Sequence, residues 1–286
     1  MPQKSIMKER MWNALTIDLE DYYHVSAFRD CIAPSDWSSQ PSRIERNTSL
    51  LLDLFDEAGC KATFFTLGWV AEHFPRVVRS VAERGHEVAC HSLHHRIVFE
   101  MTPSEFREDT RRAKQSIEDC TGAPVSGYRA PSFSITKDSL WALEILVQLG
   151  FTYDSSIFPV KHPAYGMPSF SRDPQRFQTP SGSIVEYPMT TLELAGRRSP
   201  FGGGAYFRLL PYRYTHWGIR FLNIHENRPV CVYLHPWELD PEQPKLAGKL
   251  SSRVRHYLGL RNTPEKLRNL IRDFAFCPLG VLVNSI

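Results

Sequence analysis

Strong charge of either sign is missing from this sequence: 286 residues carry 34 Lys and Arg against 31 Asp and Glu, a formal net charge of +3 with histidines neutral. So near a balance leaves no electrostatic footprint for nucleic acid. Long apolar runs are missing too. Nothing approaches the roughly 18 residues a membrane span needs, and the mean hydropathy is −0.32. The N-terminal cations Lys4, Lys8 and Arg10 precede an apolar stretch that Asn13 interrupts and Asp18 ends, too short for a secretory signal, so a cytoplasmic location is expected. Cys31, Cys60, Cys90, Cys120, Cys231 and Cys277 include no CxxC pair, and a chain of this size needs no disulfide staples, so free thiols are expected. Their flanks share no pattern, which excludes a repeat built on them.

What is present is a core: 42% hydrophobic and 12% aromatic residues exclude a disordered or fibrous class. Short apolar runs at 12–19, 62–67, 87–90, 125–128, 151–153, 184–190 and 230–234 read as strands. Helical patterns alternate with most of them. Ser42 and Glu45 suggest a capping box ahead of Leu51, Leu54 and Phe55, Thr102, Pro103 and Glu105 open a long helix, Pro211 opens another, and Thr263 with Pro264 caps a last one. This β, α alternation predicts an α/β fold with a parallel sheet or barrel. Residues 158–182 read as a long loop, 240–255 as surface, and Gly202 to Gly204 as a flexible lip over a groove.

The chemistry-bearing residues fall where the strands end. Asp18 and Glu20, His91 and His95, Arg129, Asp154 and His235 each close a predicted strand, and in parallel α/β folds that edge gathers side chains into one site. In His91-Ser92-Leu93-His94-His95 the first and last imidazoles are spaced i, i+4, so a turn can aim both at one metal ion. A carboxylate would complete three ligands, leaving a position for water. Strand periodicity sends Asp18 and Glu20 to one side and Asp21 to the other. A surface histidine cluster, a solvated acidic turn, a surface ion pair for Arg129 and a core histidine at 235 are the bland alternatives for each piece alone; His94 is read as facing solvent.

Together, Asp18 with Glu20 and Asp21, the HSLHH segment, Arg129-Ala130-Pro131-Ser132-Phe133, Asp154 and Leu234-His235 resemble the five ordered motifs of the NodB-homology polysaccharide deacetylases, carbohydrate esterase family 4. The resemblance implies a single-domain distorted (β/α) barrel over residues 1–240 and a C-terminal extension, 241–286, packed on it. IDLEDYYHVSAF, GGGAYFRLLPY and LHPWE are similar to the branch associated with exopolysaccharide and exosortase systems. The family's usual adjacent-aspartate opening is replaced by an Asp-x-acid pattern like that of peptidoglycan-deacetylase-like and allantoinase-like members. The resemblance then makes Asp18 the catalytic base and Glu20, His91 and His95 the ligands of a divalent metal, with Asp21 as the other candidate carboxylate. Zn2+ is the expected ion, with Co2+, Ni2+ or Fe2+ also suited to two histidines and a carboxylate.

On that pattern Arg129 would hold Asp18 ionised, His235 would protonate the leaving amine, Asp154 would hold either His235 or Arg129, and a backbone N–H near Ser132 or Phe133 would meet the oxyanion. The expected activity is hydrolysis of N-acetyl groups on a polysaccharide or lipid-linked oligosaccharide, with an N-acetylated glycan as partner, no nucleic acid and no membrane span; a homo-oligomer is left open. Two rivals are an amidohydrolase opening a small cyclic amide and a non-catalytic glycan-binding module. Trp237, Tyr206 and Phe207 are read as core rather than sugar-stacking. The basic cluster Arg253, Arg255 and His256 is read as a solvated face, with docking of an anionic polymer or lipid-linked glycan as its alternative.

Overall fold

A computed structural model describes residues 11–162 and 165–286; the cations Lys4, Lys8 and Arg10 lie outside the described residues. In chain order the elements are β1 (Trp12–Leu19), α1 (Ile44–Glu57), β2 (Thr63–Thr66), α2 (Gly68–His73), α3 (Pro75–Glu83), β3 (Glu87–Cys90), α4 (Pro103–Thr121), β4 (Gly127–Tyr128), α5 (Trp141–Gln148) and β5 (Tyr153–Asp154). There follow β6 (Gln175–Thr179), β7 (Gly182–Glu186), β8 (Thr191–Leu194), β9 (Arg197–Pro200), α6 (Gly204–Leu209), α7 (Tyr212–Ile224), β10 (Cys231–Leu234), α8 (Leu250–Tyr257), α9 (Thr263–Asp273), β11 (Ala275–Cys277) and α10 (Leu279–Val283).

One sheet runs β10-β1-β2-β3-β4-β5-β7-β6, parallel throughout except for the β6–β7 hairpin, with β11 pairing in parallel onto β1. The expected α/β class is therefore the observed one. Among the described residues no pair joins β10 to β6, so the barrel is distorted to the point that its hydrogen-bonded path stays open. β1 is central: it is buried from Asn13 to Leu19, as a parallel strand covered on both faces must be. Within it Asn13 bonds the Val230 N–H and Thr16 Oγ1 donates to the Val232 carbonyl, so even its polar positions are spent on neighbours. The helices close on this sheet tightly. At Gly68 a Cβ would come within 2.6 Å of the Ala113 backbone, which lets α2 rest directly on α4.

Several local expectations are corrected. α1 starts without the Ser42–Glu45 capping box; its first N–H groups, on Arg43 and Ile44, donate instead to Asp21 Oδ2 at 2.7 and 3.1 Å. By contrast, the Thr102–Glu105 box at the start of α4 is formed as expected. The expected long loop holds strand β6, whose polar, half-exposed residues give no contrast between faces. The stretch expected to be plain surface holds the first turns of α8. Gly202 to Gly204 are buried rather than a flexible lip: Gly203 bridges to Tyr233, and a Cβ there would lie 2.2 Å from that ring. All six cysteines are free thiols, and no helix among the described residues is long and apolar enough to cross a membrane.

Candidate active site

β1 delivers Asp18 as its penultimate residue and Glu20 just beyond its end, both buried. Asp18 Oδ1 accepts from Arg129 Nη1 at 2.8 Å. Arg129 follows β4 and is fully buried, its fork spent on Thr16 Oγ1, the Ser155 carbonyl and hydroxyl, and Cys231 Sγ, with the Phe65 ring 4.0 Å from its guanidinium carbon. A buried cation so surrounded has one carboxylate in contact, and removing either partner of such a pair costs about 3–5 kcal/mol.

His91 and His95 leave the end of β3 on a turn that two non-glycine residues make possible, Ser92 at φ 65° and His95 at φ 53°. Ser92 Oγ accepts from the His95 N–H at 3.0 Å and so holds the turn. His91 Nδ1 donates to the Arg129 carbonyl at 2.7 Å, and His95 Nδ1 sits 3.2 Å from Ser26 Oγ, which is itself 2.8 Å from Ser132 Oγ. Both rings thereby have Nδ1 occupied and present Nε2 with its lone pair free, the arrangement metal-binding histidines use.

Glu20, His91 and His95 bring one ligand atom each to within 4.8 Å of one another. Glu20 Oε2 lies 3.0 Å from His95 Nε2, yet this buried oxygen has no aligned hydrogen-bond donor. Two acceptor atoms facing a common point is what a cation between them requires. Burial pushes the Glu20 carboxyl up, but the neighbouring imidazoles, His95 first and then His235 and His91, outweigh it and hold it well below the ordinary carboxylate range. For His91 burial dominates and pushes the imidazole down to about 4, leaving it neutral and fit to ligate. The donor set fits a divalent ion.

Asp21, the other candidate carboxylate, points away. Its oxygens accept from Ser42 Oγ and the Tyr22, Arg43 and Ile44 N–H groups, so its role is to cap α1. His94 is outside the triad, half-buried and tilted against Trp37.

His235, just past β10, closes the site from the other side. Its Nε2 is 3.4 Å from Glu20 Oε1 and 3.9 Å from Asp18 Oδ2. Nδ1 donates to Glu238 Oε1 at 2.6 Å, and the second oxygen of Glu238 pairs with Arg208. Burial alone would depress His235, but Glu238, Glu20 and Asp18 raise it overall. Burial would raise Glu238, and Arg208 and His235 hold it low. These two partners were missed in the sequence: Glu238 stands at i+3 from His235 and could have been found by that spacing, whereas Arg208, on α6, carries no local signal.

The site corrects the expectation for Asp154. It bonds neither His235 nor Arg129; Ser156 Oγ donates to it at 2.5 Å, and it pairs across the β5–β7 register with Glu186. Burial pushes both carboxyls up, Glu186 the further because Asp154 adds like charge beside it. Its place is behind the site, fixing the Ser155–Ile157 backbone through Ser156 and the Ile157 N–H, and Ser155 in turn grips Arg129.

Asp18, Glu20, His91, His95 and His235 line a cavity of about 440 Å³ that also takes in Tyr206, Tyr233 and, from α8, Ser252, Arg255 and His256. Phe207 is core, as expected, and Trp237 is sandwiched between His235 and His256, with ring centroids 5.0 and 4.1 Å away. His256, expected on a solvated face, is therefore buried at the back of this stack.

Residues 36–153 match the family model described as polysaccharide deacetylase, and residues 155–284 match one described as a domain of unknown function, DUF3473. A peptidoglycan deacetylase of Helicobacter pylori is 31% identical over 107 residues, 37% of this chain and 36% of that protein. The chain thus spans little more than a third of the curated relatives it matches, 36% and 37% for the first two. Among solved structures, a candidate polysaccharide deacetylase from Mycobacterium smegmatis superposes with a TM-score of 0.65 at 20% identity, covering 96% of this chain and 88% of that one. A carbohydrate esterase family 4 pseudoenzyme from Bacillus anthracis superposes at 0.50 and 14% identity, covering 96% and 66%. The fold is common to both solved structures, one of which is a pseudoenzyme.

Proposed function

The chain contains a polysaccharide deacetylase domain of the NodB-homology, carbohydrate esterase family 4 type, and from that premise we propose that it hydrolyses N-acetyl groups on a glycan, with a divalent metal held by Glu20, His91 and His95. The observation that carries the reading is the meeting, on one cavity wall, of a three-ligand cluster with an acid and a base whose other atoms are already engaged. A divalent ion there would acidify a water and polarise the amide carbonyl. The remaining work falls to side chains. Asp18, with Oδ1 held by Arg129, has Oδ2 to accept the proton of the attacking water. As the C–N bond breaks, His235 Nε2–H passes its proton to the amine, and Glu238 steadies the imidazolium at Nδ1. Acetate and a free amine result.

For the oxyanion, the Phe133 N–H already donates to the Ala130 carbonyl at 3.1 Å, so of the two expected backbone donors Ser132 supports the role better. Asp154 acts at one remove, through Ser155 and Arg129. Exopolysaccharide maturation is the setting that the resemblance of the IDLEDYYHVSAF and GGGAYFRLLPY segments supports, and zinc is the ion the donor set supports. Against a purely binding module stand the Asp18–Arg129 and His235–Glu238 pairs, which holding a sugar does not require. The test is acetate release from a panel of N-acetylated glycans with and without chelator. Release that stops on chelation and returns with zinc or cobalt supports the reading; no release from any glycan by metal-loaded protein would overturn it.

A further inference from the structure

α8 presents an apolar edge to solvent beside the mouth of the cavity. Leu250 is 74% exposed and Val254, one turn on, 52%; Leu258 at the C-cap is 57% exposed, and Leu209 across the mouth 42%. Leu50 and Phe99 are each the lone exposed large apolar side chain of their segment, which needs no explanation, and α7 exposes a pair, Trp217 and Ile224. Here they are grouped, and the helix bearing them is not loose. Its inner side is pinned by His256, stacked on Trp237 and edge-on to Phe28, and by the Tyr257 hydroxyl, which accepts from the Leu246 N–H and donates to the Pro244 carbonyl.

Charge surrounds this edge. Residues 245–261 hold five cations, Lys245, Lys249, Arg253, Arg255 and Arg261, and no acid, in a chain whose charges otherwise nearly cancel. All five are exposed, and among the described residues none forms an ion pair with a carboxylate. Apolar side chains ringed by unneutralised Lys and Arg on a short, fixed helix are complementary to an anionic bilayer surface, where leucines enter the acyl boundary and cations meet phosphate headgroups.

We propose that α8, with Leu209 and Leu258, docks this protein on an anionic lipid surface. Leu209 also lines the cavity, whereas α8 turns Ser252, Arg255 and His256 toward it and carries Leu250 and Val254 on its other side, so docking holds the surface next to the mouth rather than across it. The corollary, that the glycan is one presented there on a lipid anchor, rests on the deacetylase reading; the docking itself does not.

Co-flotation of the full chain with vesicles tests it. The protein is expected to float with vesicles containing about one-third phosphatidylglycerol and at least about tenfold more weakly with phosphatidylcholine alone, and to be released as salt rises. Leu250→Ser with Val254→Ser, and separately Lys249→Glu with Arg253→Glu, should each lose at least about tenfold in vesicle affinity. None of these four lines the cavity. Near-UV circular dichroism matching the wild type in both double variants keeps the comparison independent of activity. Wild type that stays with the soluble fraction overturns the proposal, as does undiminished flotation of either double variant. A dimer in sedimentation velocity that the Leu250→Ser, Val254→Ser variant dissociates, without flotation, would make the face a self-association surface instead. Retention by a soluble polyanion without flotation would make it a polymer site.

Discussion

At the scale of single residues, the site divides into atoms that bind a cation and atoms that move protons. His91→Ala or His95→Ala should abolish stoichiometric zinc binding in isothermal titration, and His94→Ala should leave it intact. Glu20 and Asp21 separate cleanly by two measurements. Glu20→Ala should lose the metal with little else changed, whereas Asp21→Ala should keep it and lose about 1–2 kcal/mol of stability, because the α1 N–H groups lose their acceptor. Tight zinc binding by Glu20→Ala would refute that division. For the proton-moving pair, Asp18→Asn and His235→Ala should each cut kcat by about 10² to 10⁴ while zinc binding persists. Glu238→Gln should lower kcat with little change in KM, and near-normal turnover in His235→Ala would remove that residue from the reaction. The strand-end residues were legible because each type is rare at the close of an apolar run. The division of labour between Glu20 and Asp21 was suggested by strand alternation alone; what fixes it is a helix start 22 residues away, which no local pattern announces.

Elements that bury one clear face were readable, and those that do not were missed. β1, β2, β3 and β10 are short apolar runs ending in a charged or polar residue, and α4 declares itself through Thr102 and Glu105. β6 is polar on both faces, β8 and β9 form a small polar hairpin, and β11 has three residues, too few for any period. The joint between β2 and β3 carries a consequence for pH. His86 Nδ1 accepts from the Ala62 N–H at 3.2 Å, a bond only the neutral ring can make, and burial pushes its pKa down to about 4 from an ordinary 6.5. Between those values the unfolded chain binds a proton that the fold refuses. Stability from this group is complete above pH 6.5 and falls as pH drops toward about 4, with a limiting slope of about 1.4 kcal/mol per pH unit. Urea unfolding at pH 7 and pH 5 should therefore show a shallower loss for His86→Gln than for the wild type; equal losses would show that His86 does not contribute.

For the whole molecule, an α/β alternation was visible and the resemblance implied an extension packed on the barrel, while the contacts by which residues beyond 240 reach the site were not legible. α8 supplies His256 to the stack behind His235, and the Arg255 carbonyl accepts from Arg208, the partner of Glu238. A chain stopped after residue 240 should accordingly fail to show a single cooperative thermal transition, and a normal melt would establish 241–286 as a dispensable extension. The two family-model matches meet at β5 itself, the first ending at residue 153 and the second starting at 155, inside one sheet, so neither half owns a finished core. β1 sharpens the point. Its Thr16 bonds a residue 216 positions away and its Asn13 one 262 positions away. On a ribosome, β1 must therefore wait, built to be buried on both faces, until partners 216 and 262 positions further on have been synthesised and β10 and β11 arrive beside it. Such non-local closure makes for slow folding and long exposure of unpaired strand edges. Expression yield should respond to chaperone supply and to translation speed more than to any single side chain in the site.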